Sequence, residues 1–291
     1  MKTGLSGFTS VRARDAFLTA YDEKLAELWP GHDSRDVPTT FGTTRVMTGG
    51  TGATPFVLLA GGGGNSLMWH RYVGPLGEHR PVIAIDQIGD PGRSTQDRPF
   101  ADGRDLATWL EEVLAALDVE RAHLVGCSFG GWVALRHALH SPGRAATLTL
   151  LDPAGFGKFT ARFMRWVILG GLASLAPRPV RHRAAGWLRN ATLLDDDLMG
   201  LARHALSFRR RMPMPPPLTD DELGSLAVPV QLLLGEHSAL YDARAVAARA
   251  TELMPDARVE IVPGASHDVP MHSVELVTAR TIEFAREMEP S

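Results

Sequence analysis

Residues 123–132 read HLVGCSFGGW, and the interpretation of the whole chain starts from this stretch. A short apolar run leads into GCSFG at residues 126–130, which has the pattern G-x-S-x-G. A sharp strand-to-helix turn needs glycine two residues before and after the serine, because a Cβ atom at either place would collide with the crossing backbone. Residues 132–140 are predicted to form the helix that follows. We therefore expect Ser128 to stand at the end of a buried strand as a candidate nucleophile.

Composition restricts the class of protein. The chain has 291 residues, 44% of them hydrophobic and 22% charged, which is typical of a globular protein. A formal net charge of -3 gives no reason to expect a nucleic-acid partner. Cys127 is the single cysteine, so no intrachain disulfide is possible. No signal-peptide pattern and no apolar run of about 18 residues is present. We expect a soluble cytoplasmic protein without a membrane partner.

Most of the chain alternates between strand and helix patterns, which predicts an α/β fold with a mostly parallel sheet covered by helices on both faces. Residues 41–48 and 55–60 are expected to form a hairpin around a glycine-rich turn. Further strands are predicted at residues 81–86, 123–127, 146–151, 228–234 and 258–262. Helices are predicted at residues 11–29, 106–117, 132–140, 243–253 and 274–288.

Residues 155–222 interrupt this alternation. They contain three helical patterns and end near a proline-rich stretch, MPMPPP at 212–217, which cannot be helical. We predict a helical cap inserted at residues 155–222 into a core domain formed by residues 1–154 and 223–291. The apolar stretch at 166–172 would suit the roof of a pocket for an acyl or aromatic group.

Several motifs together resemble one enzyme family. The GCSFG turn, LLLGEH at 232–237 and GASH at 264–267 are similar to α/β-hydrolases, and in layout to bacterial carboxylesterases of the naproxen-esterase type. The resemblance also covers YDEKL at 21–25 and LWP at 28–30. It implies an α/β-hydrolase fold and hydrolysis of a small-molecule ester or acyl substrate. No metal-binding pattern is present in the sequence, and no cofactor is expected.

The same resemblance implies roles for particular residues. Ser128 would be the nucleophile and His267 the general base, because a neutral serine needs an imidazole to accept its proton. The backbone N–H groups of Gly62 and Phe129 would form the oxyanion hole. The family usually has His-Gly at positions 60 and 61, where this chain has alanine and glycine, so the loop that holds the oxyanion donor is expected to be fixed differently.

The acid of the expected triad has no obvious place, because the family's usual position is occupied by Ser238. A serine cannot supply the charge that stabilises an imidazolium. Asp152 is the favoured candidate, since it follows a strand at the position where some haloalkane dehalogenases and pancreatic-type lipases carry their acid. Asp242 and Glu236 flank the vacant position and remain alternatives, as does the absence of a working acid.

The expected cap is basic. Residues 155–211 contain eleven lysines and arginines and three aspartates. Their net charge is +8, which leaves -11 for the rest of the chain. This charge would attract an anionic substrate or an acidic carrier protein, or it is a solvated outer face. The leading hypothesis is a serine esterase. The alternatives are an acyltransferase, thioesterase or cyclase on the same fold, and a catalytically inactive binding protein of that fold.

Overall fold

The computed structural model describes residues 4–288, and a twisted nine-stranded sheet organises this part of the chain. From one edge to the other the order is β11-β10-β8-β7-β4-β5-β3-β2, and the short β6 pairs with β3. The strands are β1 (Gly7–Phe8), β2 (Asp33–Thr39), β3 (Gly42–Gly49), β4 (Phe56–Leu59), β5 (Val82–Ile85), β6 (Thr95–Gln96), β7 (Ala122–Cys127), β8 (Ala145–Leu151), β9 (Phe208–Arg209), β10 (Val230–Gly235) and β11 (Arg258–Val262). The short β1 and β9 form a separate antiparallel pair.

Six neighbouring strands, from β11 to β5, run parallel, which confirms the mostly parallel sheet. The predicted hairpin between residues 41–48 and 55–60 is wrong. β3 instead pairs antiparallel with β5 and with β2, while β4 lies between β5 and β7. No strand was predicted over β2, because this edge strand is mostly polar and exposed and buries only Val37 fully.

Helices cover both faces of the sheet. They are α1 (Val11–Leu28), α2 (His70–Gly77), α3 (Gly103–Ala116), α4 (Phe129–His140), α5 (Ala161–Ser174), α6 (Arg178–Leu188), α7 (Asp196–Ala205), α8 (Asp220–Gly224), α9 (Ala243–Leu253), α10 (Val269–His272) and α11 (Val274–Glu287). Successive residues of β4 enter different cores: Val57 and Leu59 pack in one cluster, Phe56 and Leu58 in the other. This alternation is the two-residue period of a strand buried on both faces.

The elements between β8 and β10 depart from the alternating pattern. They comprise α5 to α8, a one-turn helix at Ala191–Leu194, and β9. Helices therefore occur where the three helical patterns were expected, and the pairing of β9 with β1 adds a contact that the sequence did not suggest. The division of the chain into core and cap domains stays a prediction. No helix within residues 4–288 has the length and apolar character needed to cross a membrane.

Candidate active site

Ser128 lies in the tight turn between β7 and α4. Its backbone has φ 48° and ψ -112°, a left-handed conformation that non-glycine residues rarely adopt. The turn is crowded: a Cβ on Gly126 would lie 2.6 Å from the carbonyl oxygen of Gly130, and a Cβ on Gly130 would lie 2.3 Å from that of Leu59. The two glycines are therefore required by close backbone approach, as the pentapeptide predicted. The turn leaves Ser128 half-buried at the carboxyl edge of the sheet.

His267 connects Ser128 to an acid. It lies in the loop after β11, and its Nε2 atom is 2.9 Å from Oγ of Ser128. Its Nδ1 atom is 2.6 Å from Oδ2 of Asp152. A carboxylate accepts hydrogen bonds, so the proton of the neutral imidazole belongs on Nδ1, and Nε2 is free to accept the serine proton.

Asp152 follows β8 directly and is completely buried. Its carboxylate is well supplied with donors, because Gly235 donates its backbone N–H to Oδ1 at 2.9 Å and Ser238 donates its hydroxyl to Oδ2 at 2.6 Å. Together with His267, these groups satisfy the buried charge. The structure thus brings together the three residues Ser128, His267 and Asp152.

The other two acid candidates lie elsewhere. Asp242 caps the N-terminus of α9, where its Oδ1 atom accepts the backbone N–H groups of Arg244 and Ala245. Glu236 is exposed and accepts the backbone N–H of Gly264. Both carboxylates are engaged in local backbone contacts of the kind that stabilise turns and helix ends.

The two expected oxyanion donors belong to residues near Ser128. Phe129 is the first residue of α4, and Gly62 lies in the loop after β4, with both Gly62 and Ser128 lining one cavity. Gln87 donates its side-chain amide to the carbonyl of Ala60 at 2.7 Å. Asp90 accepts the N–H of Gly63 at 2.8 Å. These two side chains hold the loop that has alanine where the family usually has histidine.

The cavity has a volume of about 400 Å³. Its floor includes Ser128 and His267, and α5 contributes Phe163, Trp166 and Val167 to its wall. The rings of Phe163 and Trp166 stand edge-on to the His267 imidazole, with centroids 5.0 and 5.7 Å away. The apolar stretch at 166–172 therefore supplies part of the wall, as its composition suggested.

Burial raises the pKa of two titratable groups beside the triad. Burial and the nearby Asp152 raise the pKa of the Cys127 thiol far above its usual range. Burial also raises the pKa of Asp268, against the hydrogen bonds that its Oδ2 atom accepts from the backbone and hydroxyl of Thr192. Among residues 4–288, no group of three or more His, Cys, Asp or Glu side chains is arranged to hold a metal ion.

Comparison with known proteins identifies the family to which the chain belongs. The sequence profile of the alpha/beta hydrolase family matches residues 56–280, three quarters of the chain. The chain belongs to the α/β-hydrolase family. It is 30% identical to carboxylesterase YbfK of Bacillus subtilis, over 95% of this chain and 96% of that relative. The resemblance found in its motifs is thereby confirmed.

Solved structures of α/β-hydrolases match the fold closely. The crystal structure of naproxen esterase from Bacillus subtilis superposes with a TM-score of 0.82 and 28% identity, covering 92% of this chain and 96% of the other. The structure of carboxylesterase CesB (YbfK) from the same organism gives 0.82 and 29%, with coverage of 94% and 98%. A meta-cleavage product hydrolase from Pseudomonas fluorescens, at 19% identity and a TM-score of 0.67, shares the fold.

Three residues that contact the candidate site or its glycine loop were not identified from the sequence as part of it. No motif in the sequence distinguished Gln87 or Asp90, which follow the predicted strand at residues 81–86. Arg210 stood out only as one of many basic residues, although its Nε atom lies 2.5 Å from the buried Asp90. Arg162, in the same basic segment, also makes hydrogen bonds within the protein: it donates to the carbonyls of Ser238, Ala239 and Tyr241. An unpaired basic surface for anionic substrates stays a prediction.

Proposed function

We propose that this α/β-hydrolase cleaves a carboxylic ester through an acyl-enzyme on Ser128, with His267 as general base and Asp152 as the acid of the triad. The observation that carries the proposal is the unbroken hydrogen-bonded series from Ser128 Oγ through His267 to Asp152. The relatives named carboxylesterase support the choice of an ester as substrate.

In the first step, Ser128 Oγ attacks the ester carbonyl carbon while its proton passes to His267 Nε2. The imidazolium that forms carries its charge beside the carboxylate of Asp152, which stays ionised and stabilises it. His267 then returns the proton to the departing alkoxide, so the alcohol leaves and the acyl group remains on Ser128. Activation by this neighbouring base is what makes a neutral hydroxyl reactive.

The negative charge that develops on the carbonyl oxygen would be stabilised by the N–H groups of Gly62 and Phe129. Phe129 begins α4, so its N–H lies at the positive end of the helix dipole. In the second step, a water molecule gives a proton to His267 and attacks the acyl carbon. Release of the carboxylic acid restores Ser128.

The cavity supports a substrate with an apolar acyl or aromatic part. Its wall combines the aromatic side chains of α5 with Leu198 and Leu201 of α7. Transfer of apolar groups from water to such a lining is favourable by about 25 cal/mol per Å² of buried surface. The segment 155–222 would then act as a cap over the triad and give the selectivity between esters.

The binding-protein alternative was motivated by the missing acid at Ser238. The contact between Asp152 and His267 removes that motivation, so hydrolysis is the better-supported reading. Acyl transfer to another acceptor uses the same acyl-enzyme, and partition of the acyl product between water and an added amine, alcohol or thiol distinguishes it.

Ester hydrolysis is tested with p-nitrophenyl butyrate and with intact mass after treatment with a fluorophosphonate, from which an activated serine displaces fluoride. Wild type should turn over the ester and gain a single adduct. Ser128→Ala should lose both, while Ser225→Ala, at an exposed turn, keeps them. Turnover in Ser128→Ala at the wild-type rate would overturn the proposal.

A further inference from the structure

The chain segment that follows β9 passes over the loops behind the proposed oxyanion hole. Two close approaches mark its path. A Cβ on Gly89, where φ is +93°, would lie 2.1 Å from Sδ of Met212, and a Cβ on Gly62 would lie 3.2 Å from Nη2 of Arg210. The segment therefore packs directly on Gly62 and on the loop after β5, and both glycines leave room for it.

Arg210 is the residue of this segment that contacts the candidate site. Its Nε atom donates to Oδ1 of Asp90 at 2.5 Å, and its guanidinium carbon is 4.4 Å from the centroid of the Phe129 ring. A guanidinium over an aromatic face at this distance makes a favourable cation–π contact. With Gly62 beside it, one side chain touches both residues whose N–H groups would stabilise the oxyanion.

Asp90 extends these contacts into the glycine loop. It is buried, and the same Oδ1 atom that pairs with Arg210 also accepts the N–H of Gly63. Arg210, Asp90 and Gly63 thus form a continuous series that ends one residue from Gly62. Four consecutive glycines at positions 61–64 give this loop large conformational freedom, so a well-placed N–H at Gly62 needs fixing from outside.

The balance of charge argues for a role in positioning. The Arg210 guanidinium is paired with the Asp90 carboxylate, so the pair presents little net charge to a developing oxyanion. What the pair does provide is a support that contacts Phe129, Gly62 and Gly63. Small displacements of such donors weaken stabilisation of the transition state strongly.

We propose that Arg210 is a positioning residue for the oxyanion hole: with Asp90 it holds the Gly62 loop and Phe129 in the geometry that stabilises the tetrahedral intermediate. The inference rests on the proposed function. It also links the C-terminal part of the expected cap to the chemistry at Ser128, because Arg210 follows β9 and contacts Gly62 and Phe129.

Arg211 offers a matched control. It is the next residue, it carries the same charge, and its side chain is exposed, while its backbone N–H donates to the hydroxyl of Ser6. Replacing either arginine by methionine removes one positive charge and preserves most of the side-chain length. A difference between the two variants therefore reports the contacts of Arg210 and not the net charge of the protein.

The experiment measures p-nitrophenyl butyrate hydrolysis and inhibition by a trifluoromethyl ketone. Ser128 Oγ adds to the carbonyl carbon of this ketone, and the carbonyl oxygen becomes an oxyanion. We expect Arg210→Met to lower kcat by about tenfold or more while KM changes by less than about threefold. The inhibition constant of the ketone should rise by the same factor as kcat/KM falls. Arg210→Lys should recover part of kcat, and Arg211→Met should match wild type.

A double-mutant cycle completes the test. If Arg210 acts through Asp90, the loss in Arg210→Met combined with Asp90→Asn is smaller than the two single losses together. A folded Arg210→Met enzyme with the wild-type kcat overturns the inference, as does a loss confined to KM. Wild-type protein that fails to hydrolyse esters or react with fluorophosphonate contradicts the proposed function instead, and the two failures are thus separate.

Discussion

The hydroxyl of Ser238 donates a hydrogen bond to Oδ2 of Asp152 at 2.6 Å, and the same oxygen lies 2.6 Å from Nδ1 of His267. Ser238 occupies the position after β10 where the resemblance placed the acid. The proposed acid, Asp152, follows the neighbouring strand β8 instead, and Ser238 at the usual position donates a hydrogen bond to it. A departure from the family pattern that suggested inactivity thus becomes part of a complete arrangement.

Asp152→Asn should lower kcat for ester hydrolysis by about three to four orders of magnitude, because an amide at this place neither stabilises the imidazolium nor fixes the proton on Nδ1. Asp242→Asn is the control, since that side chain caps α9 and should leave kcat unchanged. The two variants are compared by steady-state hydrolysis and by the rate of fluorophosphonate labelling. Equal losses in both would show that the acid was assigned wrongly.

The sequence predicted the turn around Ser128 and the parallel sheet, because both are encoded by neighbouring residues, and it favoured Asp152 as the acid because that residue directly follows a strand. It did not predict the contact between Arg210 and Asp90, which are 120 residues apart, since nothing local distinguishes Arg210 from the arginines beside it. The polar edge strand β2 was missed for a related reason. Its conformation depends on the ladder with β3, and its side chains carry almost no apolar alternation.

Ser238→Ala should reduce kcat several-fold and leave the triad in place. Asp152 would lose one of its donors while retaining Gly235 and His267, and the loss of one such hydrogen bond destabilises a protein by about 1 kcal/mol. Thermal unfolding and steady-state kinetics measure the two effects. Ser238→Thr keeps the hydroxyl and should stay closer to wild type than alanine; the reverse order would contradict a role for the hydrogen bond.

Exchanging the two residues should recover activity that the single replacement loses. Asp152→Ser alone removes the proposed acid. The double variant Asp152→Ser with Ser238→Asp has a carboxylate at the family's usual position, close to where the Asp152 carboxylate was. Ser238→Asp alone should destabilise the fold, because it buries a second carboxylate against Asp152. Hydrolysis by the double variant no faster than by Asp152→Ser would contradict the idea that either strand end can supply the acid.

Cys127 should resist alkylation in the native protein, although it adjoins the candidate nucleophile. Its side chain is buried, and burial together with Asp152 holds its pKa far above that of an ordinary thiol, so almost no thiolate is present at pH 8. Intact mass after iodoacetamide should show no adduct without denaturant and one adduct in urea. Rapid labelling of the native protein would contradict this assignment, and Cys127→Ser provides the unlabelled control.

Asp268→Asn should stabilise the protein at neutral pH and have less effect at acid pH. Burial raises the pKa of Asp268 in the folded state, so the ionised carboxylate opposes folding. This penalty is complete above the folded-state pKa, shrinks as pH falls below it, and is absent below the pKa of the unfolded chain. Asparagine keeps an oxygen for the two hydrogen bonds from Thr192 and removes the charge. For a chain of this size, each 1 kcal/mol gained raises Tm by about 2–4 °C. Melting curves between pH 4 and pH 8 should therefore diverge from wild type as pH rises. Parallel curves, or a lower Tm at neutral pH, would show that the Asp268 charge is compensated inside the folded protein.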